Sequence, residues 1–96
     1  MSLKERLKDF AGSIASATTN SPDDYSEWSS WTYETHMADI KALWTEVRPQ
    51  LKRDLEQAEF INAKLAEMFE AFDSGEKDAG RKAAWAIYSL KVERLR

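Results

Sequence analysis

Ninety-six residues with a formal net charge of −3 make one small domain that must spend most of its length on a single core, which leaves little chain for an elaborate active site. Hydrophobic residues at 43% and charged residues at 32% exclude a disordered chain. Without cysteine there is no disulfide, thiolate metal site or cysteine nucleophile.

Leu3, Leu7, Phe10 and Ile14 recur at spacings of four, three and four, which predicts a helix from about residue 2 to about residue 17. Ser2 with Glu5 three residues on reads as its capping box, and Gly12 and Ser13 weaken its second half. The run Thr18-Thr19-Asn20-Ser21-Pro22-Asp23-Asp24 is the strongest break in the chain. With Ser21 as N-cap, Pro22 as the first helical residue and two acids in the first turn, a second helix is predicted over about 22–48.

From Tyr33 one apolar stripe continues through Met37, Ile40, Trp44, Val47, Leu51, Leu55, Ala58, Leu65, Phe69 and Phe72, with Ile61 or Asn62 filling the gap. Pro49 interrupts it, removing one backbone donor and clashing with the carbonyl of Thr45 in a straight helix. The stripe therefore describes either one long helix kinked at Pro49 or two helices meeting at a corner, the second over about 49–72; in both cases the chain turns near Arg48. Gly75 suits a left-handed C-cap, and a last helix is expected over about 78–95. Ala83, Ala84, Ile87, Tyr88 and Leu90, flanked by Trp85, Val92 and Leu95, cover more than half of that helix, which predicts a central position or contact with two neighbours. The expected architecture is all-α: residues 1–96 as a small bundle of three to four helices, built around the element kinked or broken at Pro49 and followed by an αα-hairpin.

No chemistry-bearing motif survives this reading, so no cofactor, metal or catalytic residue is expected. His36 is the only histidine, with Asp39 one turn on, and zinc would need further ligands from distant carboxylates; a solvent-facing or half-buried ring is the expectation. Asp73 to Asp78 resembles a calcium loop only superficially, because alternate ligand positions fall on Gly75 and Lys77. Ser26, Ser29 and Ser30 lack a nucleophile elbow, no Gly-rich phosphate loop exists, and the carboxylate pairs lack the Glu-x-x-His partners of di-iron bundles.

Charge is uneven: +1 over residues 1–19, −7 over 20–75 and +3 over 76–96. The acidic middle opposes a nucleic-acid wrap and favours a basic partner. Arg81, Lys82, Lys91, Arg94 and Arg96 keep open the alternative of a nucleic-acid-associated regulator working through the last helix. Tyr25, Trp28 and Trp31 do not share a face with the Tyr33–Met37–Ile40 stripe, so they are either covered by the first helix or exposed as interface anchors. A third reading is a small apolar ligand held between helices by Trp28, Trp44 and Trp85.

The leading expectation is a non-enzymatic protein-interaction module, such as an adaptor, an inhibitor or immunity-type protein, or a chaperone-like binder, using an acidic, aromatic helical surface at Tyr25, Trp28 and Trp31. Wide apolar faces on so short a chain predict a homodimer. No window approaches the ~20 apolar residues of a membrane span, and Met1–Thr19 has no apolar run of signal-peptide length, so the chain is expected in the cytoplasm.

Overall fold

A computed structural model describes residues 2–20 and 32–96. Among them are four α-helices and no strand: α1 (Leu3–Asn20), α2 (Tyr33–Val47), α3 (Leu55–Asp73) and α4 (Lys77–Tyr88). Single 3-10 turns occupy Arg48–Gln50 and Val92–Arg94.

The first helix starts where its cap predicts, with Ser2 Oγ accepting the Glu5 amide at 3.2 Å. It runs to Asn20, beyond the expected end near residue 17, and the Thr18 hydroxyl donates back to the Ala15 carbonyl at 2.6 Å. Leu7, Phe10, Ile14 and Ala17 are buried, while Leu3 is half-buried. This helix packs on α2, on α4 and on the C-terminal 3-10 turn, and α4, which packs on both α3 and α1, has the two neighbours that its wide apolar face predicts.

The second helix does not extend as one element over 22–48. Thr32 is extended (φ −115°, ψ 169°) and caps a helix that begins at Tyr33; the preceding residues lie outside the described ones. Thr35 fills the role usually taken by Glu or Gln in a capping box. Its amide donates to Thr32 Oγ1 at 3.2 Å, and its own hydroxyl oxygen accepts the Thr32 amide at 2.9 Å.

At Pro49 the chain breaks. After Val47 come the 3-10 turn and an extended Leu51 (ψ 130°), and α3 begins at Leu55 instead of residue 49. Because residues 48–54 are not α-helical, the phase of the stripe shifts slightly across the break. Leu55 is 57% exposed and Phe69 only partly buried, while Ala58, Ile61, Leu65 and Phe72 of the stripe are buried and Met68 joins them. The new bend is held from a distance, since the amides of Lys52, Arg53 and Asp54 all donate to the Arg96 carbonyl oxygen, at 3.2, 2.9 and 3.0 Å. Asp54 Oδ2 accepts the Arg96 amide at 2.8 Å in return.

The α3–α4 hairpin turns on Gly75, whose φ of +78° is the left-handed conformation glycine adopts without a Cβ penalty. Gly80 lets the two helices approach closely, because a Cβ there would fall on the Phe72 ring. The last helix stops at Tyr88, well short of the expected residue 95. The Ser89 hydroxyl donates to the Trp85 carbonyl at 2.8 Å and Lys91 takes a left-handed φ of 55°. The chain then folds back, burying Val92 and Leu95.

The core is contiguous within one chain. Phe10 stacks on Trp44 with ring centroids 5.3 Å apart, and Tyr33 meets Phe72 edge-on while its hydroxyl donates to Asp73 Oδ1 at 2.9 Å. Leu55, Phe60, Trp85 and Tyr88 are the exposed large hydrophobics among the described residues. None of the helices described is long and apolar enough to cross a membrane.

Candidate functional site

Tyr25, Trp28 and Trp31, the residues picked from sequence as interface anchors, lie outside the described residues. Trp44 is core, as its place on the stripe predicts: 6% exposed, with its indole N–H donating to Asn62 Oδ1 at 3.4 Å. Trp85 differs from expectation. It flanks the buried face of α4 in sequence but is 53% exposed, and Tyr88, counted among the apolar positions, is 42% exposed. The reason is geometric. Gly80, Ala83, Ala84 and Ile87 alone form the buried strip of α4, and such small residues set the helix so close to its neighbours that the adjacent large rings project past the contact.

Trp85 and Tyr88 meet edge-to-face, with centroids 5.7 Å apart and planes at 83°. Tyr88 borders a shallow cleft of about 350 Å³ between α1 and α4, floored by Ala11, Gly12 and Ala15. Lys8 and Glu93 supply its charged margin. The floor is open, since a Cβ placed on Gly12 would meet no atom within 4 Å. Tyr88, met edge-on by Trp85, borders that floor of small side chains, and the two exposed rings form a surface a partner can approach closely. Ordering them on binding costs little entropy, because they already restrain one another.

The apolar-ligand reading requires Trp44 and Trp85 to face a common space. Trp44 is instead sealed against Phe10 and Trp85 stands out from α4, and no cleft described here is lined by both.

His36 is fully buried at the α1–α2 contact, not solvent-facing or half-buried as expected. Its Nε2 lies 2.8 Å from the Ser13 carbonyl oxygen, which fixes Nε2 as the protonated, donating nitrogen of the neutral ring. The Ser13 hydroxyl donates to Asp39 Oδ2 at 3.1 Å, so a serine that weakens α1 as a helix former joins it to α2. Burial lowers the His36 pKa below its ordinary 6.5, against the smaller opposing effects of the Ser13 carbonyl and the Asp39 charge. A ring so placed is a packing element, out of reach of a substrate. Among the described residues no group of three or more His, Cys, Asp or Glu is placed to hold a metal ion.

Neither a family model, nor a curated protein, nor a solved structure matches this chain.

Proposed function

We propose that this chain is a small, non-enzymatic protein-interaction module, and that its docking surface is the Trp85–Tyr88 face beside the α1–α4 cleft. The observation that carries this reading is the edge-to-face pairing of two exposed large aromatic rings, 53% and 42%, on α4, while the other exposed large hydrophobics among the described residues, Leu55 and Phe60, belong to α3. Tryptophan and tyrosine are the side chains that most often dominate binding energy at protein interfaces. Exposed Glu56, Glu59, Glu67 and Glu70 on α3 add an acidic field, which would speed encounter with a basic partner, while burial of the rings would supply affinity.

The test is affinity capture from the native host with the wild-type chain and with Trp85→Ala/Tyr88→Ala. The double substitution removes side chains that contribute little to the core, so circular dichroism and melting temperature should hardly change while a partner is lost. A parallel Trp28→Ala/Trp31→Ala variant separates this surface from the second aromatic cluster. Loss of the partner with that variant alone would move the docking surface to residues 25–31.

A further inference from the structure

At the opposite end of α1 from the aromatic cleft's Ala15 margin, five cationic side chains converge on one concavity of about 740 Å³: Lys4, Lys52, Arg53, Arg94 and Arg96. They come from three stretches of the chain and bring together over a third of its fourteen basic residues, in a protein whose net charge is −3. A single acid, Glu93, shares the lining. None of the five takes part in the ion pairs found among the described residues, which join Arg6 to Asp9 and Glu46 and Lys64 to Glu67. The nearby carboxylate of Asp54 accepts the Arg96 amide and keeps its negative charge, so with Glu93 it compensates the five cations only in part. Like charges gathered with partial compensation repel one another, and a bound anion relieves that repulsion.

We infer that this cleft binds a phosphate-bearing small molecule of nucleotide size. The charge decides the chemistry: five cationic side chains against one acid in the lining leave an excess that a di- or triphosphate matches well, its oxygens suiting the planar forks of three arginines. Buried Leu7 and Leu95 and half-buried Leu3 form an apolar part of the wall, which accommodates the uncharged portion of the ligand. The size decides against a long nucleic acid. The cations surround a single pocket instead of following a track, and residues 20–75 carry a charge of −7 that would repel a backbone running past it.

Isothermal titration of the full chain with ATP, and separately with inorganic pyrophosphate, tests this. At about 100 mM salt ATP should bind one-to-one with a Kd on the order of 100 µM, weakening as salt is raised. Pyrophosphate, which cannot use the apolar wall, should bind several-fold more weakly. Arg53→Gln/Arg94→Gln should raise the ATP Kd at least about tenfold, whereas Lys82→Gln, outside the cleft, should leave it unchanged. Amide chemical-shift changes in the unmodified protein, confined to residues 3–7, 50–54 and 93–96, locate the site without any substitution. The inference is overturned by the absence of saturable binding of either probe up to about 5 mM, by shift changes elsewhere, or by a single-stranded oligonucleotide that binds more tightly than ATP and gains affinity with length.

Discussion

Replacing Gly80 with alanine sets helix propensity against packing, and the structure decides the sign. In the interior of a helix the change is worth up to about 1 kcal/mol in favour of alanine. At Gly80, however, the new Cβ would overlap Cδ1 and Cε1 of Phe72 and lie 2.8 Å from its Cζ. Phe72 is 4% exposed and braced edge-on by Tyr33, so the ring has no free space into which to swing. Overpacking of this kind costs about 1–3 kcal/mol, which outweighs the propensity gain. The central value, a net loss of about 1 kcal/mol in a chain of 96 residues, corresponds to a melting temperature lower by roughly 4–8 °C. Gly12 is the internal control: a Cβ there meets nothing within 4 Å, and Gly12→Ala should stabilise by about 0.5–1 kcal/mol. Urea denaturation of both variants, and of Gly80→Ala combined with Phe72→Leu, measures the balance. Removing the ring should relieve the clash, so the double variant should be more stable than the sum of the single effects by about 1 kcal/mol. A Gly80→Ala protein as stable as wild type, or strict additivity with Phe72→Leu, would refute the close α3–α4 contact.

The buried histidine gives a pH dependence of definite sign. The folded-state pKa of His36 lies below the unfolded 6.5, so its contribution is fully present above pH 6.5 and is lost as pH falls through the folded value. Denaturation midpoints measured downward from pH 7 should therefore fall more for wild type than for His36→Gln, and equal falls would count against a buried neutral ring. Thr32→Ala removes one side of the reciprocal cap on α2 and should cost about 1 kcal/mol, with faster amide exchange confined to the first turn of that helix; unchanged stability would mean the helix does not begin there.

What could be read from the sequence was set by local chemistry. The Leu3–Leu7–Phe10–Ile14 stripe, the Ser2 cap, the left-handed Gly75 and the core position of Trp44 each follow from side chains within a turn or two of one another, and each appears in the fold. What was missed depends on partners far away in the chain. No turn-forming residue next to Pro49 announces the extended stretch that precedes α3, because its three amides are satisfied by the carbonyl of Arg96. Once those residues leave the helix, the phase of the stripe shifts slightly: Leu55 lies outside the core and Met68 within it, while Ala58, Ile61, Leu65 and Phe72 stay buried. The early end of α4 could have been suspected from Ser89 and from the charges interrupting its last turns, but the reversal depends on Val92 and Leu95 finding α1. His36 was misjudged because its burial relies on an acceptor 23 residues earlier in the chain. The exposure of Trp85 reflects the depth to which small residues let α4 sink, and hydrophobic patterning does not encode that depth.

The most direct test of the docking surface places a photo-crosslinking amino acid at position 85 and, separately, at the exposed Lys82 on the same helix, followed by irradiation in the native host. If Trp85 anchors a partner, position 85 yields one dominant adduct that is absent from position 82 and is lost on adding Tyr88→Ala, while the fold is retained. Adducts of equal pattern and yield at both positions would show that the exposed rings of α4 contact no specific partner, and would contradict the proposed function.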